Sequence, residues 1–170
     1  SYITTILQRD VRDLAHIEGL TILPRVLSLI AARAASLLNF SELSRSIGIP
    51  QTTLKRYMSL LETTFLLQPL PSWSGNLGKR LVKAPKVMLN DTGLVSNLIG
   101  LYEDGVEAHQ GIIGAVLENF VAMELRKQEA WSKIQPQVFH FRTQAGQEVD
   151  IALENTAGKV VGIETKASKT

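Results

Sequence analysis

The chain has 170 residues, of which 45% are hydrophobic and 20% are charged, and its formal net charge at pH 7 is +2. This near balance excludes a strong overall field, so attraction to nucleic acid must come from local clusters of charge. The absence of cysteine excludes a disulfide framework and a thiolate zinc site. We therefore expect a globular protein of a reducing compartment, with the cytoplasm as its location.

The first forty residues carry apolar side chains at helical spacing, which predicts two helices between Tyr2 and Asn39. Pro24 falls in the first turn of the second helix, a position that proline favours. The most apolar stretch, Ile22 to Phe40, contains Pro24, Arg25 and Arg33. It is too polar to cross a bilayer, so we predict no contact with a membrane.

A helix-turn-helix pattern follows. It consists of a helix from Phe40 to Ile47, a turn at Gly48, and a second helix from Gln51 to Leu61. Ser41 is a candidate cap for the first helix, and Gly48 suits a left-handed turn. Strand-like runs at 65–67 and 81–89 flank a turn-rich stretch. A β-hairpin directly after a helix-turn-helix predicts the wing of a winged helix.

The predicted wing is basic, since no acidic residue lies between Thr63 and Asn90. Its cations and those of the second helix are predicted to contact nucleic-acid phosphates. The alternative is a protein-docking module, in which the second helix only packs against its own core. The candidate nucleic-acid-binding residues are Lys55, Arg56, Lys79, Arg80 and Lys83, with Lys86 also on or beside the wing.

The second half has a different organisation. A short helix is predicted from Leu94 to Gly100, and the acidic, turn-prone connector at 103–107 divides the chain into residues 1–105 and 106–170. A long helix and an antiparallel meander then indicate an α+β fold. The helix is predicted from Ile113 to Trp131, and the strands at Gln137 to Arg142, Gln147 to Glu154 and Lys159 to Lys166.

The last two predicted strands bring charged side chains together. If their apolar faces coincide, odd-numbered residues must pair, and Asp150 then lies opposite Glu164 with Lys166 on the same face. Two facing carboxylates repel each other unless a cation lies between them, which Mg²⁺ can do. Lys166 is then a candidate for orienting a metal-bound water. The alternative is an ordinary solvated face of an antiparallel sheet.

Glu118 on the preceding helix, Val149-Asp150-Ile151 and Glu164-Thr165-Lys166 together resemble the PD-(D/E)XK nuclease superfamily. The resemblance implies that Asp150, Glu164 and Lys166 are catalytic, and that Glu118, Asp150 and Glu164 hold magnesium. Val149 replaces the conventional proline. A helical wheel places Glu118 at the edge of the predicted buried arc and Glu124 inside it, so it leaves Glu124 open as the helix carboxylate. The residues of that arc are Ile113, Leu117, Phe120, Val121 and Leu125. The helix and strand that usually follow are not in this sequence, so we expect an incomplete nuclease-like core.

Motifs along the whole chain resemble one prokaryotic family, the domain of unknown function found C-terminal to a P-loop AAA-type ATPase module. They include Phe40-Ser41-Glu42-Leu43, Lys86 before Asp91-Thr92-Gly93-Leu94, and Gly114 before Leu117-Glu118-Asn119-Phe120. The resemblance implies that the ATPase module lies elsewhere in the same polypeptide. This fragment has no nucleotide-binding motif of its own, and it is compatible with an oligomer.

Two functions follow as hypotheses. The first is a nucleic-acid-associated module of a AAA-type ATPase, with a winged helix that binds DNA and a magnesium-dependent nuclease-type site. The second is a non-catalytic module for DNA binding or for protein interaction and assembly. Fold alone does not decide between them.

Overall fold

The computed structural model describes residues 20–101 and 110–167, which form an α+β fold of six α-helices and one three-stranded antiparallel sheet. The predicted helix before residue 20 and the acidic connector at 103–107 lie outside the described residues. Within them, no helix is long and apolar enough to cross a membrane. The elements are a 3₁₀ turn at Leu20–Ile22, α1 (Leu23–Ala31), α2 (Phe40–Ile47), α3 (Gln51–Thr63), α4 (Leu77–Val82), α5 (Thr92–Ile99), α6 (Gln110–Glu129), β1 (Gln137–Arg142), β2 (Glu148–Glu154) and β3 (Val160–Ile163).

Local signals define α2 and α3 as predicted. Gly48 ends α2 in the left-handed conformation at φ +81°, where a residue without Cβ is not strained. The predicted cap was wrong. Asn39 caps α2 by accepting a hydrogen bond from the Glu42 N–H at 3.1 Å, whereas Ser41 lies inside the helix. Asn39 immediately precedes the first helical residue, and its side chain therefore reaches the unpaired N–H groups of the first turn.

The first hydrophobic core lies between α1, α2, α3 and α5. Leu27, Leu54 and Leu61 are fully buried there, and Tyr57 is nearly so. Leu54, Tyr57 and Leu61 belong to α3, and their spacing places them on one side of the helix. The other side of α3 is therefore left to solvent.

Three extended segments pair beside this core. The segment around Val87 lies in the middle: Val87 exchanges backbone hydrogen bonds with residues 35 and 36, while Lys86 exchanges two with Leu70, both 2.9 Å long. The predicted strand at 81–89 was therefore wrong in its first part, because residues 81 and 82 belong to α4. Their apolar side chains are exposed instead of paired.

The sheet has the predicted meander and register. Ile151 pairs with Ile163 and Leu153 with Val161, so odd-numbered residues meet as the matching of apolar faces requires. The third strand is shorter than predicted and ends at Ile163.

The two halves of the chain are joined through β1. The backbone of His140 bonds Pro71 and Trp73, so an extended segment of the first half continues the sheet at its β1 edge. At this point the β1–β2 register shifts, which lets three consecutive β1 side chains be buried. The second core accordingly mixes Leu70 and Met88 with side chains of α6, β1 and β2.

Candidate functional site

A buried lysine lies at the centre of the charged groups. Lys86, on the middle extended segment, is 2% exposed. Its Nζ lies 2.6 Å from Oε1 of Glu118 on α6 and 2.5 Å from Oε1 of Glu148 at the start of β2. We call these three side chains the Lys86 cluster. It connects the first half of the chain to both the long helix and the sheet of the second half.

Burial decides the electrostatics of this cluster. Removal from water raises the pKa of Glu118 to about 7; the contact with Lys86 opposes this shift, and the charges of Asp150 and Glu148 add to it. The pKa of Lys86 is raised, because its hydrogen bonds to the two carboxylates outweigh the opposing effect of burial. Removing one member of such a cluster leaves a buried charge without compensation.

His140 is buried next to the cluster. Its Nε2 lies 3.1 Å from the carbonyl oxygen of Ala84, while Nδ1 has no hydrogen-bond partner among the described residues. Burial lowers the pKa of His140 to about 4, and the positive charge of Lys86 contributes to the shift. The imidazole is therefore neutral at physiological pH, with Nε2 donating to Ala84.

Asp150 lies on β2, two residues after Glu148. One of its carboxylate oxygens, Oδ2, accepts hydrogen bonds from the Thr165 N–H at 2.8 Å and from the Thr165 hydroxyl at 2.9 Å. The pairing of Ile151 with Ile163, continued by one residue, brings Asp150 and Glu164 to neighbouring positions. The observed ladder ends at the Ile151–Ile163 pair, so the facing of Asp150 and Glu164 stays a prediction from its continuation.

The predicted metal ligands nevertheless have different surroundings. Glu164 lies beyond the end of β3, is exposed, and pairs with Lys166 at 3.6 Å between Nζ and Oε2. Glu118 is directed to Lys86. In residues 20–101 and 110–167, no three acidic or histidine side chains are grouped to hold a metal ion. The residues as they lie do not complete a magnesium site, and the metal assignment stays a prediction.

Of the two helix carboxylates left open by the sequence, Glu118 is the one near Asp150. Glu124 is partly exposed and pairs with Lys127 at 2.6 Å. The predicted buried arc of this helix was wrong at Phe120, which is 49% exposed, while Glu118 and Asn119 are buried. The polar pair is buried because Lys86 and the backbone of Leu89 supply its partners.

The predicted nucleic-acid-binding residues fall into two groups. Lys55, Arg56 and Lys79 are exposed. Arg80 instead forms a bidentate ion pair with Glu154, whose two N–O distances are 2.5 and 2.9 Å, and this contact lowers the pKa of Glu154. Lys83 donates to a backbone oxygen of β1 at 3.4 Å. Three of the five cations are therefore available to a ligand without breaking a contact between the two halves.

Comparison with known proteins gives the family. A domain of unknown function, DUF8612, matches residues 1–105. The chain belongs to the DUF8612 family. A second domain of unknown function, DUF4143, matches residues 113–170. No solved structure gives a significant match.

Two curated relatives of this DUF8612 protein are uncharacterized proteins of Mycobacterium bovis and Mycobacterium tuberculosis. Each is 31% identical over 169 residues, which is 99% of the chain. The chain spans 37% of the length of each relative. These relatives are therefore considerably longer proteins, of which the DUF8612 chain corresponds to one part.

Sequence reasoning missed four side chains of this DUF8612 protein. Lys86 was grouped with the surface cations of the wing, and Glu148, Asn119 and His140 were given no role. One signal for Lys86 was available: it directly precedes the apolar run Val87-Met88-Leu89, where a lone charge needs a buried partner. The identity of that partner depends on how the two halves pack.

Proposed function

We propose that this chain is a nucleic-acid-associated C-terminal module of a AAA-type ATPase, and that its first half binds DNA as a winged helix. The observation that carries the proposal is the solvent face of α3, where Lys55 and Arg56 are exposed. DUF4143 domains are often found with AAA ATPases. The greater length of the mycobacterial relatives leaves room for such a module.

The order of the elements supports the winged-helix interpretation. After α1, a paired segment around Ser36 precedes α2 and α3, and two further paired segments, with α4 between them, follow around Leu70 and Val87. Helix, strand, two helices and a hairpin in this order are typical of winged helices. In such folds the second helix of the helix-turn-helix enters the major groove.

The composition of α3 fits that role. Its buried side holds Leu54, Tyr57 and Leu61, so packing does not use the opposite side. That solvent side holds residues that suit DNA: lysine and arginine contact phosphates, and glutamine and threonine bond base edges. The exposed residues of α3 are Gln51, Thr52, Lys55, Arg56 and Ser59, and, in its last turn, Glu62 and Thr63. Within the described residues, Lys55 and Arg56 form no ion pair, although the Nζ of Lys55 lies 5.5 Å from the Phe40 ring centroid.

The first prediction concerns this face. Replacing both Lys55 and Arg56 with alanine should lower the affinity for duplex DNA and flatten its salt dependence, because each lost phosphate contact removes about 0.9 from the slope of log K against log salt. Fluorescence anisotropy over a series of salt concentrations measures both quantities. The matched control is the pair Lys133 and Lys159, which are exposed outside α3 and give the same change in net charge. Equal slopes for the two double variants would count against binding through α3.

A magnesium-dependent nuclease-type site at Asp150, Glu164 and Lys166 is the second candidate function. The β2–β3 register favours it, since its continuation makes Asp150 and Glu164 neighbours across the hairpin. Glu118 is the further acid whose charge acts on this region. No step of cleavage follows from the present arrangement, because Thr165 and Lys166 already contact the two hairpin acids.

The second prediction tests that candidate. Calorimetric titration with Mn²⁺ should give a binding signal that is lost in Asp150→Asn if these acids hold a metal, since asparagine keeps an acceptor for Thr165 but lacks the charge. Glu129→Gln, at the end of α6, is the control and should leave the signal unchanged. Identical heats in wild type and Asp150→Asn would favour the non-catalytic module.

A further inference from the structure

We propose that Lys86 is the resident cation of the acidic cluster, so that Glu118 and Glu148 take up no divalent metal ion while its ammonium is in place. The inference does not depend on DNA binding by α3. It reverses the role that the nuclease resemblance gives to Glu118, from a metal ligand to the partner of a lysine.

The contacts of Lys86 carry the first step. Its Nζ lies within 2.6 Å of one oxygen of Glu118 and within 2.5 Å of one oxygen of Glu148. A metal ion that used both oxygens would have to occupy the space that the ammonium fills. A metal ion beside the ammonium would be strongly repelled, because the Lys86 side chain is 2% exposed and water screens its charge little, although the Glu148 side chain is 30% exposed.

Burial carries the second step. The Lys86 side chain is 2% exposed and that of Glu118 is 12% exposed, so neither can exchange its partner for water without local unfolding. The backbone on both sides of Lys86 is also fixed, by the two hydrogen bonds with Leu70 and by those of Val87. The lysine therefore cannot move aside by the rotation of an exposed side chain.

The position of Lys86 in the chain carries the third step. Glu118 and Glu148 belong to the second half, whereas Lys86 belongs to the first, in the run 81–89 that was predicted as the second strand of the wing. The cation that compensates these acids is thus supplied by the half with the DNA-binding face. A nuclease-like domain separated from residues 20–101 would have the two acids without their ammonium.

The test uses Mn²⁺ as the probe and thermal unfolding together with electron paramagnetic resonance as readouts. In the chain that keeps Lys86, Glu118→Gln should not change Mn²⁺ uptake, because Glu118 is not a ligand. Lys86→Met should unfold at a temperature about 10 °C lower than Lys79→Met, an exposed control on α4. Mn²⁺ should raise the unfolding temperature of Lys86→Met. This rise should be absent in the double variant that carries both Lys86→Met and Glu118→Gln.

Two results would overturn the proposal. Loss of Mn²⁺ uptake by Glu118→Gln in the presence of Lys86 would show that metal and ammonium share the cluster. A folded Lys86→Met chain that takes up no more Mn²⁺ than the wild type would show that the ammonium does not fill a cation position. The first comparison remains decisive even where Lys86→Met fails to fold. These two comparisons use other variants than the Asp150→Asn titration. If they refute the role of Lys86, the proposed function is not refuted with it.

Discussion

Replacing Asn119 with leucine should lower the free energy of unfolding by about 3 kcal/mol. The Asn119 amide is fully buried on α6 and bonds the first half: it accepts from the Leu89 N–H and donates to the Leu89 carbonyl, both at 2.9 Å, and it donates to the Thr92 hydroxyl at 3.3 Å. Leucine has a similar volume and no polar atom, so it leaves two backbone groups of Leu89 buried without partners. Urea unfolding followed by circular dichroism measures the loss.

Asn97→Leu is the matched control for this experiment. Asn97 is exposed on α5, and the same substitution there should change stability by less than about 0.5 kcal/mol. Equal effects at the two positions would mean that the side-chain bridge from α6 to Leu89 contributes little to holding the halves together.

The pH dependence of stability should change in opposite directions when Glu118 or His140 is replaced. Burial raises the pKa of Glu118 to about 7 from an ordinary 4.5, so the folded state holds this proton more tightly and stability falls as pH rises through that range. Burial lowers the pKa of His140 to about 4 from 6.5, so its contribution to stability is present above pH 6.5 and is lost as pH falls toward 4.

These two slopes oppose each other in the wild type between pH 4.5 and 6.5. Relative to the wild type, Glu118→Gln should gain up to about 3 kcal/mol as pH rises from 4.5 to 7. His140→Gln should lose up to about 3 kcal/mol of unfolding free energy relative to the wild type as pH rises from 4 to 6.5.

Denaturant unfolding at a series of pH values gives the differences. Glu124→Gln, a surface control on α6, should stay within about 1 kcal/mol throughout. Parallel curves for all four proteins would refute burial as the cause.

Elements governed by local chemistry were predictable from the sequence. The helix-turn-helix follows from helical spacing and from Gly48, whose left-handed conformation needs no tertiary partner. The β2–β3 register follows from a side-chain period of two, since only odd–odd pairing buries Ile151 with Ile163. The same period of two predicts that Asp150 faces Glu164, one pair beyond the observed ladder.

Features that depend on packing between distant segments were not predictable. Helix α4 carries apolar residues that resemble a strand, yet Leu81 remains 87% exposed. The helical wheel of α6 predicted Phe120 as buried, because a wheel contains no information on contacts with distant segments. Hydrogen bonds with Lys86 and Leu89 place Glu118 and Asn119 on the buried side instead. The two acids of the Lys86 cluster, Glu118 and Glu148, are 32 and 62 residues away from Lys86 in sequence. No periodicity relates such distant positions.

Contact between DNA and the solvent face of α3 can be measured by nuclear magnetic resonance. The isotopically labelled 170-residue chain is titrated with a short DNA duplex, and the amide chemical shifts are followed. We expect the largest shifts on Gln51 to Ser59, and we expect them to diminish in the double variant Lys55→Ala, Arg56→Ala. Shifts confined to the β2–β3 hairpin, or none at low salt, would contradict it.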